Sequence, residues 1–171
     1  MALGSVSPTI GIDIDGTILP YGAAKDDYRG NADLIHRLPP AASTNIILVT
    51  NQAGINFIGD RYPTPAEVAN RIHNALLFLG RHGYFPRYTN ISVFHPRTPY
   101  SVIEISAKRL RRALHALNIL NFSIYATEKS RKPQPYMLRH PMLETYYGDS
   151  DEDRAAADAA GIPFVRIERF V

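Results

Sequence analysis

Residues 10–17 read Ile-Gly-Ile-Asp-Ile-Asp-Gly-Thr and place two carboxylates one residue apart where an apolar run meets a glycine. The run predicts a buried strand, and the strand period of two puts Asp13 and Asp15 on the same side as the chain leaves the sheet. Crowded carboxylates repel, so one of them holds its proton more tightly unless a cation lies between them. The pair predicts a nucleophile with an acid, or metal ligands. The alternative is an ordinary turn, with residues 15–16 as its turn chemistry.

Three further segments place polar side chains after strand-like runs. Residues 50–54 (Thr-Asn-Gln-Ala-Gly) end an apolar run, and residues 131–133 (Arg-Lys-Pro) follow the run 122–126. Residues 148–153 (Gly-Asp-Ser-Asp-Glu-Asp) follow a short aromatic run and open an alanine-rich helix. Because ligands of open parallel sheets bind outside the carboxyl ends of the strands, we expect all these segments to meet residues 10–17 in one crevice.

The order of these motifs resembles that of the haloacid dehalogenase (HAD) superfamily of aspartyl phosphotransferases: Asp-x-Asp-Gly-Thr, Thr-Asn-Gln, Lys-Pro and Gly-Asp-x-x-x-Asp. The match spans residues 9–171. Residues 50–55 and 131–133 resemble the subgroup that holds polynucleotide 3'-phosphatases, histidinol phosphatases and heptose bisphosphate phosphatases. The resemblance implies a Rossmann-like α/β HAD fold, which is a three-layer sandwich around a mostly parallel sheet, as a single domain over residues 1–171.

The two carboxylates of the first motif have separate candidate roles. Asp13 is the candidate nucleophile, because carboxylates can form aspartyl-phosphate intermediates. Asp15 is the candidate general acid that protonates the leaving alkoxide, and later the base that activates water. A phosphate ester is anionic, so the site also needs polar and positive groups around the phosphoryl oxygens. The candidates for that role are Thr50, Asn51 and Lys132.

Four carboxylates are candidate ligands of Mg²⁺, a cation that prefers oxygen ligands: Asp13, Asp15, Asp149 and Asp153. Asp151 and Glu152 do not match the family pattern, and we expect them to cap a helix or face solvent. Each assignment has a structural alternative. Residues 50–51 suit a strand-to-loop transition, a lysine before proline suits an exposed loop, and residues 149–153 suit a helix N-terminus.

Composition agrees with one globular domain. The chain has 171 residues, of which 45% are hydrophobic and 20% charged, and this length allows a sizeable core. No apolar run predicts a membrane-spanning helix, and no secretory signal is evident. The absence of cysteine rules out disulfides, and without a targeting signal the cytoplasm is the expected location.

Alternating strand and helix patterns predict a parallel sheet with helices on both faces. Strands are predicted at residues 9–14, 45–50, 91–94, 122–126, 145–147 and 164–166, and helices at residues 32–38, 65–81, 102–117, 136–143 and 152–160. Too few residues separate Asp15 from the second strand for a substantial cap domain. Residues 91–126 form either a small cap or an extra βα unit, and the buried character of the strand at 91–94 favours the unit.

The formal net charge of +3 suits a polyanionic substrate but does not require one. Basic residues gather on one predicted helix and just before it, where they could neutralise phosphates. These possible nucleic-acid contacts are Arg97, Lys108, Arg109, Arg111 and Arg112. The alternative is a solvated helix face.

One absence separates the members of the subgroup. The histidinol and heptose phosphatases usually carry a zinc loop of cysteines and a histidine, whereas this chain has His95-Pro96 there and no cysteine, so no thiolate zinc site is expected. The resemblance therefore moves toward the polynucleotide 3'-phosphatases. No kinase P-loop motif occurs in the chain.

The sequence therefore predicts a Mg²⁺-dependent phosphomonoesterase that acts through an aspartyl-phosphate, with a DNA or RNA 3' end as its expected substrate. Two alternatives stay open. One is a phosphatase for a small nucleotide, sugar or histidinol phosphate, and the other is a phosphate-end-binding module without turnover.

Overall fold

The computed structural model describes residues 7–21 and 27–171, which fold around one six-stranded sheet. The strand order is β4-β3-β2-β1-β5-β6, and every pairing is parallel. The strands are β1 (Thr9–Asp13), β2 (Asn45–Asn51), β3 (Tyr88–Ser92), β4 (Phe122–Tyr125), β5 (Leu143–Gly148) and β6 (Phe164–Arg166). The helices are α1 (Ala32–Arg37), α2 (Pro65–Arg81), α3 (Tyr100–Ala116) and α4 (Asp151–Ala160), with short 3-10 turns at Ala41–Ser43, Ala53–Asn56, Glu128–Ser130 and Pro135–Leu138.

The sheet is covered on both faces, which gives the three layers expected from the sequence. On one face, Leu34 of α1, Ile72 of α2 and Leu110 of α3 join the core formed with β1 and β2. On the other face, Ala156 of α4 and Met137 of the last 3-10 turn pack over Ile47 and Val49 of β2 and over Leu143 and Tyr146 of β5. The predicted α/β architecture with a parallel sheet is therefore confirmed.

The strand order reverses beside β1. The chain builds β2, β3 and β4 outward on one side of β1, and then crosses the sheet to add β5 and β6 on the other side. A crevice forms where the order reverses, outside the carboxyl ends of the strands. β1 is buried along its whole length, so its carboxyl end delivers Asp13 directly to this crevice.

Residues 91–126 form the βα unit favoured by the sequence, because β3, α3 and β4 extend the sheet to its edge. The strand predicted at 91–94 begins earlier, because Tyr88 already pairs with Ile47 of β2. It ends at Ser92. The predicted start of α2 is confirmed: Thr64 and Glu67 form a capping box with Pro65 in the first turn. Among the described residues, no helix is both long enough and apolar enough to cross a membrane.

The helix predicted at residues 136–143 is wrong. This segment contains the 3-10 turn Pro135–Leu138, a further turn and the first residue of β5. Pro141 explains the difference, because proline lacks an amide hydrogen and its ring clashes inside an α-helix. Buried Met137 and Leu138 hold the short turn against the sheet instead. This crossing connection consequently covers less of the sheet than a helix would.

Candidate active site

A cavity of about 750 Å³ opens at the carboxyl ends of the strands. All four segments singled out in the sequence line it, as do residues of α2 and of the C-terminal segment. The predicted meeting of these motifs in one crevice therefore occurs. The predicted site residues that line the cavity are Asp13, Asp15, Thr50, Asn51, Lys132, Asp149 and Asp153.

The loop after β1 turns at Gly16 and lies close to the carboxylate of Asp149. Ile14 accepts backbone hydrogen bonds from residues 18 and 19, and Gly16 takes a positive φ of 84°. A Cβ atom at Gly16 would lie 2.6 Å from Oδ2 of Asp149. Glycine is therefore required here by its backbone angle and by the close approach of the carboxylate from β5.

Lys132 lies at the centre of the inner site. Its ammonium donates to Oδ1 of Asp13 at 2.5 Å, to Oδ1 of Asp153 at 2.6 Å and to the hydroxyl of Tyr146 at 3.1 Å. Burial opposes the charged form of Lys132, but Asp13, Tyr146 and Asp153 hold its pKa above the ordinary value. Burial in turn raises the pKa of Asp13, against the opposing effect of Lys132. Lys132 is thus a buried cation, not the exposed loop lysine of the alternative interpretation.

Asp153 connects this ion pair to helix α4. Its Oδ1 also accepts from the Tyr146 hydroxyl at 2.8 Å, and its Oδ2 accepts from the backbone N–H and the hydroxyl of Ser150 at 3.1 and 2.5 Å. Burial works against its charge, yet Lys132, Ser150 and Tyr146 hold the pKa of Asp153 below the ordinary value. Asp153 is therefore both the capping-box residue of α4 and the second anchor of Lys132.

Asn51 engages the backbone of the lysine segment. Its Oδ1 accepts the Lys132 N–H at 3.2 Å, and its Nδ2 donates to the Lys132 carbonyl at 3.4 Å. Both ends of the amide therefore fix the segment to the end of β2. In this arrangement Asn51 positions Lys132, whereas the sequence predicted a direct contact with phosphoryl oxygens.

Asp15 is held by residues of β2 and α2. Arg71 donates to Oδ1 of Asp15 from Nε at 3.0 Å and from Nη2 at 2.6 Å, and also to the Pro20 carbonyl at 2.9 Å. Gln52 donates to Oδ2 at 2.5 Å, and the Thr50 hydroxyl lies 3.5 Å from the same oxygen. These contacts fix the orientation of the Asp15 carboxylate on the cavity wall.

Asp149 forms an ion pair with Arg169 of the C-terminal segment. Nε of Arg169 lies 2.5 Å from Oδ2 of Asp149, and the guanidinium also lies over the ring of Tyr21. Backbone hydrogen bonds place the segment there: Phe170 donates to the Gly16 carbonyl at 2.8 Å, and Tyr21 donates to the Phe170 carbonyl at 2.8 Å. The end of the chain thus packs against the loop that carries Asp13 and Asp15.

Three buried carboxylates form a group that could hold a metal ion. Oxygens of Asp13, Asp149 and Asp153 lie within 4.8 Å of one another. An all-oxygen donor set of this kind fits a hard cation such as Mg²⁺. Asp15 is not in this group, because its carboxylate faces Arg71 and Gln52. Asp153 already accepts four hydrogen bonds, so Asp13 and Asp149 are the more available ligands.

A second set of cations lies on the cavity wall away from these carboxylates. It consists of Arg61 and Arg131, neither of which forms an ion pair within the described part of the chain. His95 lies beside them and accepts the Arg97 N–H on Nδ1 at 3.2 Å. Burial, Arg131 and Arg97 lower the pKa of His95. This wall can therefore receive a further negative group of a ligand.

The predicted basic cluster lies elsewhere. Its helical members are exposed along α3 and do not line the cavity: Lys108, Arg109, Arg111 and Arg112. Lys108 pairs with Glu104 at 3.4 Å, and Arg111 lies over the ring of Phe122. Arg97 is exposed in the loop after β3, next to His95. The structure does not bring this cluster to the inner site.

Four functional residues had no role in the sequence interpretation: Gln52, Arg71, Tyr146 and Arg169. The sequence held a signal for two of them. Gln52 belongs to the quoted Thr-Asn-Gln motif. Tyr146 lies in the aromatic run before Gly148, and strand alternation places its side chain on the face of the sheet opposite Tyr147. Arg71 and Arg169 reach the site through the packing of α2 and of the C-terminal segment, which no local pattern predicts.

Comparison with known proteins gives little beyond this geometry. No protein-family model matches the chain, and no curated protein matches it. Among solved structures, the chain is similar to D,D-heptose 1.7-bisphosphate phosphatase from B. bronchiseptica, a crystal structure in complex with magnesium and phosphate. The identity is 17%, the alignment covers 95% of this chain and 82% of that chain, and the TM-score is 0.46. A likeness of this size assigns neither an activity nor a substrate to this chain.

Proposed function

We propose that this protein is a Mg²⁺-dependent phosphomonoesterase that forms an aspartyl-phosphate on Asp13. The observation that carries the proposal is the buried ammonium of Lys132 held between Asp13 and Asp153 at the switch point of the sheet. Burying Asp13 and Asp153 with their shared lysine is costly, and buried charge clusters of this kind are typical of functional sites. The order of sequence motifs that resembles the HAD superfamily supports the same chemistry.

The first half-reaction transfers the phosphoryl group to the protein. A carboxylate oxygen of Asp13 attacks phosphorus, and the bond between phosphorus and the ester oxygen breaks. Asp15 gives a proton to the departing oxygen, which leaves as an alcohol. Arg71 and Gln52 keep the Asp15 carboxyl group on the cavity wall.

The second half-reaction releases phosphate. Asp15 takes a proton from water as the water oxygen attacks phosphorus, and the bond between phosphorus and Asp13 breaks. Inorganic phosphate leaves, and both carboxyl groups return to their starting states. Lys132 and Thr50 line the cavity, and their ammonium and hydroxyl groups would stabilise the transition state as a fixed positive charge and a donor beside the phosphoryl group.

Asp13 and Asp149, with Asp153, would hold Mg²⁺, which when bound neutralises the negative charge of the phosphoryl group and of the carboxylates. Oxygens of these three buried carboxylates lie within 4.8 Å of one another, and an all-oxygen donor set of this kind supports magnesium as the cofactor.

A nucleic-acid 3' end is the substrate that we propose. Within the described residues, β1 and β2 are joined by α1 and a 3-10 turn, and residues 91–126 belong to the sheet, so a bulky substrate can enter. The internucleotide phosphate next to the terminal phosphate could bind at the cavity wall formed by Arg61, Arg131 and His95. The basic residues 108–112 could contact only parts of a polyanion that lie outside the cavity.

A small phosphorylated metabolite is the second candidate, and the acidic residues of the cavity favour it. Glu67, Asp151 and Glu152 also line the cavity, and they would repel a long polyanion. A compact substrate could contact Arg61 and Arg131 without passing these acids.

Phosphate release from a panel of substrates tests the function. We expect Mg²⁺-dependent release from a 3'-phosphorylated oligonucleotide, and chelation should abolish it. Nucleotides, sugar phosphates and histidinol phosphate are assayed at equal concentration. A preference for one of these small compounds would replace the substrate assignment, and no release from any compound would leave a phosphate-binding module as the better interpretation.

Replacing Asp15 by Asn should separate substrates by leaving group. An alkyl phosphate needs a proton on its leaving oxygen, so its turnover should fall about 10²- to 10⁴-fold. A p-nitrophenyl phosphate needs no such proton, so the variant should release nitrophenol in a burst of one equivalent and then stall, because Asp15 also activates water.

Rapid-mixing kinetics measures this burst. Asp60→Asn is the matched control, because Asp60 is exposed and does not line the cavity. Equal losses on the alkyl and aryl substrates in the rate of the first turnover would contradict the role of Asp15 as the acid.

A further inference from the structure

A second cavity, of about 500 Å³, lies at the opposite end of the sheet from the candidate active site. It is lined at the beginnings of the strands by Thr9, Asn45 and Arg87, and it shares no lining residue with the catalytic cavity among the described residues. Along β2, Ile47 of this cavity lies three residues before Thr50 of the catalytic cavity, which is about 10 Å. This surface is called the tyrosine groove below, and its main residues are Arg87, Tyr88, Tyr125, Tyr136, Arg139 and His140.

The groove exists because the connection from β4 to β5 is not a helix. On this face of the sheet, Ile47 and Val49 of β2 are covered by α4 and the 3-10 turn. By strand register, Tyr88 lies beside Ile47, and Ser123 of the edge strand lies beside Asn90. At β2 this face of the sheet is therefore apolar and covered, whereas toward β4 it is aromatic and open.

Hydrogen bonds fix the tyrosine rings in place. The Tyr88 hydroxyl lies 2.9 Å from the Ser123 hydroxyl, and the Tyr125 hydroxyl donates to Oδ1 of Asn90 at 3.3 Å. Tyr125 and Tyr136 meet edge to face with ring centroids 5.5 Å apart. Tyr88 is 38% exposed and Tyr136 is 48% exposed, so both rings present surface to a ligand.

Apart from the tyrosines, the titratable side chains on the rim of the groove are basic. Arg87, Arg139 and His140 are exposed on its rim, and no carboxylate lines it among the residues that the structure describes. Neither arginine forms an ion pair within that part of the chain. Fixed aromatic rings between unpaired cations fit a ligand that combines flat rings with negative charge.

We propose that the tyrosine groove binds single-stranded nucleic acid, with bases stacking on Tyr88 and Tyr136 and phosphates contacting Arg87 and Arg139. Stacking on aromatic side chains accepts any base, because every base has a π face. An acidic peptide would use the arginines but leave the rings without partners. This site is separate from the proposed phosphatase function and does not depend on it.

Fluorescence anisotropy with a short, 5'-labelled single-stranded oligonucleotide that ends in a 3'-hydroxyl tests the proposal. We expect Tyr136→Ala and Tyr88→Ala each to weaken binding about tenfold, and Tyr136→Phe to bind as the wild type does, because the ring is retained. Arg139→Ala should lower the slope of log affinity against log salt by about one, since one phosphate contact is lost. Tyr100→Ala is the matched control and should bind the probe as the wild type does, because Tyr100 is exposed and lines neither cavity.

Three outcomes would overturn the proposal. The first is wild-type affinity in both tyrosine-to-alanine variants. The second is an equal loss in Arg109→Ala, a charge change on α3 outside the groove, because binding would then reflect overall charge. The third is displacement of the probe by polyglutamate as readily as by unlabelled oligonucleotide, which would assign the groove to acidic proteins. Arg139 is exposed, so its variant gives a result even if a tyrosine variant unfolds.

Discussion

Asp13→Asn should abolish phosphate release, with a fall in turnover on the order of 10⁴-fold or more, because it removes the proposed nucleophile. The amide keeps the shape of the side chain, and its oxygen can still accept from Lys132. Wild-type protein quenched in acid during turnover should carry the mass of one added phosphoryl group, and the variant should carry none. Phosphate release and intact mass spectrometry measure both effects.

The matched control for this variant is Asp158→Asn, which makes the same chemical change at an exposed position of α4. It should retain full activity. If Asp13→Asn still releases phosphate at a rate near that of the wild type, then the aspartyl-phosphate mechanism is wrong. A trapped phosphoryl group in the variant would point to a different nucleophile.

Lys132→Met should lower the free energy of unfolding by about 3–5 kcal/mol, because it leaves Asp13 and Asp153 buried together without their shared cation. Lys132 is 5% exposed, so water cannot replace the ammonium without rearrangement. Turnover should fall as well, since the donor to the phosphoryl oxygens is lost. Chemical denaturation measures the stability change.

Magnesium should stabilise Lys132→Met more than it stabilises the wild type, because a bound cation reduces the repulsion between the same carboxylates. Thermal unfolding with Mg²⁺ and with chelator tests this difference. Lys129→Met is the control, because Lys129 is exposed in the same connection. A Lys132 variant as stable as this control would mean that the buried ion pairs contribute little to the fold.

Much of the site was predictable because its residues directly follow strands in the sequence. Alternation and apolar runs located β1, β2 and β5, and the rule for parallel sheets then brought Asp13, Thr50 and Asp149 to one edge. The structure explains the glycine of the Asp-x-Asp-Gly-Thr motif by the positive φ of Gly16 and its close contact with Asp149.

Other parts depended on contacts between segments far apart in the chain. The exposed loop position that a lysine before proline suits is wrong for Lys132, which the structure buries as a cation shared by Asp13 and Asp153. The helix predicted at 136–143 does not form, because Pro141 interrupts the segment. The tyrosine groove follows from that missing helix.

The sequence by itself determined the order of the motifs along the chain and their positions after strands. It also determined the all-oxygen chemistry of the candidate metal site and excluded a thiolate zinc site. These follow from residue type and from the period of a strand, which are local properties. Only the tertiary structure decided that Arg71 holds Asp15, that Arg169 reaches Asp149 and that the basic residues of α3 lie outside the cavity. Those contacts join residues 20 to 56 positions apart, or depend on which face of a helix packs on the sheet, and chain packing alone sets them.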